Sequence, residues 1–336
     1  MGGMLRGLWA ALRGHVIVLC AVVGCGTWIA PGHAQPFPSR PITLIVPFAA
    51  GGPTDTLARI LSERIAAELR TTVVVENVAG ASGSIAGARV ARAAPDGTTI
   101  TIGHWGTHVL NGAIFKLPYD VVADFEPVAM IAMGTQLIVG RKSLEANNLK
   151  EMIAWLRANP GKATAGTAGA GTGAHVAGVF FKDKTGTDFQ FVPYRGAGPA
   201  MIDLVAGQID IMFDQASNSL QHVKSGAIKA FAVTSPTRLA SAPDVPTVDE
   251  AGLPGLYISY WHGIWAPKAT PKDIVTKLNA AIVAVLAEPA VKQRFAELGQ
   301  EIPLPAQQTP AALAAFQKAE TEKWWPIVKA ADIKPE

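Results

Sequence analysis

Short apolar runs alternate with amphipathic stretches along this chain, which is typical of alternating strands and helices. Residues 42–46 (Ile-Thr-Leu-Ile-Val) predict a buried strand, and residues 54–69 place apolar side chains on one helical stripe. Further strands are predicted at 72–75 and 98–102, and each ends in a glycine-rich or polar stretch. This alternation predicts an α/β fold in which mainly parallel sheets are flanked by helices.

A second α/β series begins after a long β-like run at 128–139, which predicts a second lobe inserted into the first. The C-terminal helical patterns, 271–298 and 310–331, return to the first lobe. We therefore predict a first lobe of residues 35–139 plus 264–336 and an inserted second lobe of residues 140–263. The two segments that cross between the lobes, near 133–140 and 260–267, would form a hinge.

The first 34 residues have the features of a secretory leader rather than of the fold. Arg6 and Arg13 precede an apolar run at 16–30, and Gly32-His33-Ala34 forms a small-x-small cleavage site. An alternative is a lipobox ending at Cys25, which would leave that cysteine lipidated. We favour simple cleavage after Ala34, because this site lies at the right distance from the apolar run. With either kind of leader, the mature chain is expected to be exported from the cytoplasm.

Composition excludes several functional classes. The leader carries two of the 29 Lys and Arg residues and none of the 26 acidic ones, so the mature chain has a formal charge of +1. Without a basic run or interleaved aromatic and basic residues, no nucleic-acid partner is predicted. Both cysteines, Cys20 and Cys25, lie in the leader, so disulfides, a thiol nucleophile and cysteine-based metal sites are excluded. No cofactor is expected.

Two glycine turns are candidate anion sites. Gly51-Gly52 opens the first helix, where backbone amides and the helix dipole favour a negative group; a plain tight turn capped by Asp55 is the alternative. Residues 169–174 (Gly-Ala-Gly-Thr-Gly-Ala) also fit the spacing of a dinucleotide fingerprint, with Arg195 near a 2′-phosphate position. We favour an anion site there, because NADP is not expected outside the cytoplasm.

Several polar side chains have two interpretations each. His104 and His108 have an H-x-x-x-H spacing but lack the adjacent Glu of zinc proteases, so polar loop histidines are favoured over a metal site. His175 is interpreted either as a helix cap or as a donor to a ligand. Asp214 closes a predicted strand, where it would accept from a ligand or cap the next turn. Arg195 would add a bidentate donor or form a structural ion pair.

Motifs along the whole mature chain resemble one family. Examples are 46–55 (Val-Pro-Phe-Ala-Ala-Gly-Gly-Pro-Thr-Asp), 80–86 (Gly-Ala-Ser-Gly-Ser-Ile-Ala), 117–120 (Leu-Pro-Tyr-Asp) and 192–196 (Val-Pro-Tyr-Arg-Gly). They resemble the solute-binding receptors of tripartite tricarboxylate transporters, often called Bug proteins. The resemblance implies a periplasmic, type II-like two-lobe binding protein, not an enzyme. It implies that the protein closes on a small carboxylate, which is a mono- or dicarboxylic or aromatic acid, and delivers it to membrane transporter subunits. A monomer is expected.

The resemblance places the ligand in the interlobe cleft. One departure is Gly112, where the family often has proline, and His104-Trp105 is expected to put a large aromatic near the pocket mouth. Asp55 and Asp214 oppose a bare polyanion, so we expect one or two carboxylates plus a hydroxyl, amine or bridging water. The competing function is an exported hydrolase that uses loop histidines. The predicted ligand-binding residues are Phe48, Ala50, Gly51, Gly52, Thr54, Asp55, His104, Thr107, Thr167, Gly171, Thr172, His175, Arg195 and Asp214.

Overall fold

The computed structural model of this protein describes residues 37–334. The predicted leader, including Cys25, lies outside these residues, and its cleavage and lipidation remain predictions. Residues from Phe37 onward form one compact unit.

Strands and helices alternate as the apolar pattern predicts. Within the described residues the strands are β1 (Ile42–Val46), β2 (Val73–Asn77), β3 (Thr99–His104), β4 (Phe125–Arg141), β5 (Thr164–Thr167), β6 (Gln190–Pro193), β7 (Ile211–Gln215), β8 (Ile228–Val233), β9 (Ser259–Pro267) and β10 (Gln300–Glu301). The helices are α1 (Pro53–Leu69), α2 (Ser84–Ala91), α3 (Asn111–Ile114), α4 (Leu149–Ala158), α5 (Gly173–Thr185), α6 (Ala197–Ala206), α7 (Ala216–Lys224), α8 (Lys272–Ala287), α9 (Pro289–Glu297) and α10 (Pro310–Ala330).

The strands form one mixed sheet in the order β2-β1-β3-β9-β4-β7-β5-β6, with β8 and β10 also paired to β4. Strands β1, β2 and β3 are parallel, as are β5, β6 and β7, whereas β4 and β9 run antiparallel to their neighbours. Strand β4 changes partners along its length: it pairs with β9 up to Thr135 and with β7 from Gln136. We name the half containing β1 the first lobe and the half containing β5 the second lobe.

Each lobe has a buried apolar cluster of its own, and a third, larger cluster contains residues of both lobes. In the first lobe, the α1 stripe of Leu57, Leu61 and Ile65 packs with strand β1 and helix α8. In the second lobe, Leu204 of α6 and Leu220 of α7 pack against β4 and β7. Helix α10 packs against β4 and the segment after β3, and Trp325 donates its indole N–H to the Val109 carbonyl at 2.9 Å.

The prediction of one continuous helix over 271–298 is wrong. Residue Glu288 is extended (φ −61°, ψ 131°), and the helix breaks there into α8 and α9, which are bent by 73°. The physical reason is Pro289, whose ring disfavours helical geometry at the preceding residue but suits the first position of a new helix. Among residues 37–334 no single helix is long and apolar enough to cross a membrane, although α8 and α9 together reach that length and composition.

Candidate functional site

A narrow cavity of about 20 Å³ lies where the carboxyl ends of β1, β3 and β7 meet between the lobes. With the lobes in this arrangement it has room for little more than a water molecule. Its walls come from both lobes and from β9. They consist of Phe48, Gly52, Pro53, Thr54, Asp55, His104, Ala168, Thr172, Ala174, Ala197, Phe213, Asp214, Gln215 and Tyr260.

The first wall is the turn between β1 and α1. Asp55 accepts from the Gly51 amide at 2.9 Å, from Arg59 at 2.9 Å and from Asn77 at 2.9 Å. Burial alone would raise the pKa of the Asp55 carboxyl, but these hydrogen bonds and the Arg59 charge lower it below its usual value. Asp55 therefore stays ionised and fixes the turn, and its charge is balanced by Arg59.

Asp55 leaves most of the turn's amides available. Among residues 37–334, the backbone N–H groups of Gly52, Thr54 and Asp55 have no hydrogen-bond partner. These are the orphan donors that every helix has at its N-terminus, and here they border a cavity. The turn can therefore receive an acceptor group such as a carboxylate oxygen.

Four helices begin at this cavity. The residues Gly52, Thr172 and Gln215 precede the first turns of α1, α5 and α7, and Ala197 is the first residue of α6. Each helix N-terminus carries a partial positive charge. None of the lining residues is Lys or Arg. No side chain of the wall contributes a positive charge, so any positive potential there comes from the backbone dipoles.

Asp214 opposes that potential from the second lobe. Its side chain is 3% exposed and accepts from Asn218 at 2.8 Å and from Ser219 at 2.5 Å. Burial raises the pKa of the Asp214 carboxyl to about 6, despite these hydrogen bonds. Within the described part of the chain no cation pairs with Asp214, so this buried acceptor has only neutral partners.

The aromatic and histidine side chains around His104 are buried, so the interpretation of His104 and His108 as polar loop residues is wrong. His104 lines the cavity, while His108 stacks on Trp265 with ring centroids 3.7 Å apart. Trp105 does not reach the pocket mouth as expected: it is fully buried and contacts Trp324 and Tyr260. A residue following a strand can turn into the core, and burial of an indole is favourable.

Seven of the predicted site residues line the cavity: Phe48, Gly52, Thr54, Asp55, His104, Thr172 and Asp214. The other seven lie nearby in different roles. The Thr107 hydroxyl bonds His104 and His108, and Thr167 accepts from the Gly169 amide. His175 accepts from the Gly171 amide at 3.1 Å and packs on Phe191.

Ala50 and Gly51 are exposed on the outer side of the first turn. Arg195 is also exposed; it borders a neighbouring opening with Ser82 and Gly169, and among residues 37–334 its side chain has no ion pair. Its backbone matters more, because the Arg195 carbonyl accepts from the Ala49 amide at 3.0 Å across the two lobes.

Sequence reasoning missed seven lining residues: Pro53, Ala168, Ala174, Ala197, Phe213, Gln215 and Tyr260. Most are apolar and adjoin predicted positions, so the ends of the predicted strands carried a usable signal. The sequence gives no such signal for Tyr260. This residue reaches the cavity because β9 lies between β3 and β4 in the sheet. Gln215 is 6% exposed, and its amide oxygen has no partner in the described region.

The histidines do not form an obvious catalytic or metal site. No group of three or more His, Cys, Asp or Glu side chains converges among residues 37–334. The nearest hydroxyls are Thr54, at 3.3 Å from His262, and Thr107, at 2.9 Å from His108. Neither pair is joined to a carboxylate in the manner of a nucleophile–base–acid triad.

Comparison with known proteins identifies the family. The sequence profile described as the tripartite tricarboxylate transporter family receptor matches residues 57–333. The chain is 39% identical to the periplasmic binding protein BugD (TM-score 0.85), covering 89% of this chain and all of that one. It is also 39% identical to MatC from Rhodopseudomonas palustris with bound malate (TM-score 0.84), covering 87% of this chain and all of MatC.

A third structure, R. palustris Rpa4515 with adipate, is 33% identical (TM-score 0.84) and is matched over its full length by 89% of this chain. All three relatives share the architecture described above, with helices on both faces of a mixed sheet in two lobes. This protein is therefore a member of the tripartite tricarboxylate transporter receptor family, of the Bug type.

Proposed function

We propose that this protein captures a small carboxylate outside the cytoplasm and delivers it to the membrane subunits of a tripartite tricarboxylate-type transporter. The observation that carries the proposal is the convergence of four helix N-termini on one cavity that has no cationic side chain. Unpaired amides of Gly52, Thr54 and Asp55 supply donors for carboxylate oxygens. Such a site holds an anion without a fixed counter-charge.

The family supports the ligand class and the location. The structures of MatC and Rpa4515 contain malate and adipate, which are both small dicarboxylates. Membership of a periplasmic receptor family agrees with the predicted leader and cleavage after Ala34. We accordingly infer a periplasmic monomer, with lipid attachment at Cys25 as the less favoured alternative.

The hydrogen-bond acceptors of the second lobe limit which chemical groups the ligand can carry beside its carboxylate. Asp214 and Gln215 are neighbours in the cavity wall, and the Gln215 amide oxygen has no hydrogen-bond partner among residues 37–334. A second bare carboxylate placed against them would be repelled. We therefore infer that the ligand carries a hydroxyl or amine beside its carboxylate, or that a bound water bridges the two acids.

Binding is proposed to depend on lobe closure. The lobes are linked by the antiparallel strands β4 and β9, and we retain the predicted boundaries at residues 139/140 and 263/264 as part of this proposal. Contacts with donors of the first lobe and acceptors of the second can exist together only when the lobes meet. The ligand would thus stabilise the closed form that the transporter receives.

One experiment separates a receptor from the alternative hydrolase. The protein is purified natively, and small molecules released on denaturation are identified by mass spectrometry. A stoichiometric small acid, recovered intact and unchanged after long incubation with the protein, supports the receptor. Turnover of ester or amide substrates that is lost on His175→Ala would support the hydrolase instead.

A further inference from the structure

His104 is held in one orientation by three ring contacts. Its imidazole stacks on Phe48 with centroids 5.1 Å apart and planes 4° apart, and the edges of Tyr260 and His262 pack against it at 5.3 and 5.5 Å. The residue is 3% exposed and ends β3 at the cavity wall. The ring therefore cannot rotate freely to exchange its two nitrogens.

The local sequence also fixes where the ring proton sits. The Gly106 amide donates to His104 Nδ1 at 2.8 Å. A backbone N–H can only donate, so Nδ1 must be the unprotonated nitrogen and the neutral ring carries its proton on Nε2. Gly106 is required for this bond, because a side-chain carbon there would lie 2.7 Å from His104 Cε1.

The charge state follows from burial. Burial lowers the pKa of His104 to about 3, and no carboxylate of residues 37–334 bonds the ring, so the imidazole is neutral near pH 7. The Gly106 bond is made by Nδ1, and no hydrogen bond found among residues 37–334 involves Nε2. A neutral, oriented N–H donor thus borders the cavity beside the unpaired amides of the α1 turn.

Building on the proposed function, we propose that His104 is the side chain that fixes one carboxylate oxygen of the bound acid, through a neutral Nε2–H donor whose tautomer is set by Gly106. The donor strengthens carboxylate binding without adding charge. It therefore contributes to the selection of mono- and dicarboxylates over more highly charged acids, which an arginine at this position would favour.

The first test needs no ligand. The long-range proton–nitrogen NMR spectrum of the imidazole rings is recorded near pH 7 and near pH 5, and His104 is assigned from the spectrum of His104→Asn. We expect Nε2 protonated and Nδ1 unprotonated at both values. A proton on Nδ1, or an imidazolium near pH 7, would overturn the proposal.

The second test measures affinity for succinate, L-malate, L-aspartate and adipate by calorimetry. A glutamine amide nitrogen reaches toward the position of Nε2, whereas an asparagine amide stops near Nδ1. We expect His104→Asn to weaken the best-bound acid about 10- to 100-fold, as for loss of a hydrogen bond to a charged group, and His104→Gln to recover part of the loss.

His108→Asn is the matched control, because His108 is equally buried in the same turn but stacks on Trp265 away from the cavity. It should lower stability and leave affinity unchanged. If the acids bind both His104 variants as tightly as the wild type, the assignment of His104 fails while the proposed function stands. If none of the four acids binds the wild type at millimolar concentration, both fail.

Discussion

Gly198 in α6 lies so close to Gly51 in the first glycine turn that a side-chain carbon on Gly198 would be 2.8 Å from the Gly51 carbonyl carbon. The same carbon would be 2.9 Å from the Gly52 nitrogen. Beside this contact, the Ala49 amide donates to the Arg195 carbonyl at 3.0 Å. The two lobes thus meet backbone to backbone at the rim of the cavity.

This contact predicts that Gly198→Ala opposes closure. The added methyl meets rigid backbone rather than a movable side chain, and overpacking of this kind costs about 1–3 kcal/mol. Because the cost falls mainly on the closed form, we expect affinity for L-malate or the best-bound acid to fall about 5- to 150-fold. Calorimetry measures the affinity, and small-angle scattering measures the compaction on binding.

Ile202→Ala is the control for this experiment, since Ile202 lies on the same helix with 69% of its side chain exposed. The affinity of Ile202→Ala for the acid and its compaction on binding should match those of the wild type. Wild-type affinity and compaction in Gly198→Ala would show that the glycine contact has no part in closure.

Four buried histidines predict that the protein loses stability in mild acid. The pKa of His104 and of His108 is lowered to about 3 by burial, that of His175 to about 4, and that of His262 lies well below its usual value of 6.5. The unfolded chain therefore binds protons below about pH 6.5 that the folded chain does not. Each histidine therefore lowers the free energy of unfolding by up to about 1.4 kcal/mol for each unit by which the pH falls below that value.

Asp214 acts in the opposite direction, because a pKa raised to about 6 favours the folded state as the pH falls from 6 toward 4. The four histidines outweigh it, and we expect the free energy of unfolding to be roughly 6–7 kcal/mol smaller near pH 5 than near pH 7.5. Urea denaturation at both values measures this. In His108→Phe the slope of the free energy of unfolding against pH should fall by the equivalent of about one bound proton. Equal stability of the wild type at the two pH values would refute the prediction.

Asp214 should select acids that carry a donor. Succinate, L-malate and L-aspartate share a four-carbon skeleton and differ only in the hydrogen, hydroxyl or amine at one carbon. A donor facing an ionised carboxylate contributes about 1.5–3 kcal/mol. We expect the wild type to prefer malate or aspartate over succinate, and Asp214→Asn to reduce that preference about tenfold or more.

Asp203→Asn provides the comparison, because Asp203 bonds the Tyr194 hydroxyl outside the cavity. It should retain the wild-type preference. If Asp214→Asn discriminates among the three acids as the wild type does, Asp214 does not receive the ligand's donor.

Export should remove residues 1–34 and leave Gln35 at the N-terminus. The small-x-small site after the apolar run directs this cleavage. Intact-mass measurement of protein isolated from the exporting cell tests it. A chain that begins at a lipid-bearing Cys25 would replace the soluble receptor with an anchored one.

The sequence predicted much of this fold because its apolar periods agree with its turn residues. The run 42–46, the glycines at 51–52 and the α1 stripe all indicate a strand, turn and helix, and all three appear. The break between α8 and α9 was missed, although Glu288-Pro289 is a local signal against a continuous helix. Local chemistry thus carried a signal in both cases, and only the first was used.

Relationships between distant segments were not readable in the same way. The approach of Gly198 to Gly51 and the arrival of Tyr260 at the cavity depend on how the lobes meet and where β9 enters the sheet. Trp105 illustrates the limit: its neighbour His104 faces the cavity, yet the indole turns into the core against Trp324. Spacing along the chain does not encode that direction.

The claim that this cavity holds a carboxylate is tested most directly by a melting screen of small mono- and dicarboxylic acids, each beside its own amide. At a concentration one hundred times Kd, binding stabilises the native state by about 2.7 kcal/mol, a shift of several degrees at roughly 2–4 °C per kcal/mol. We predict that at least one acid produces this shift and that its amide does not. Amides that raise the melting temperature as much as their acids would contradict a carboxylate site.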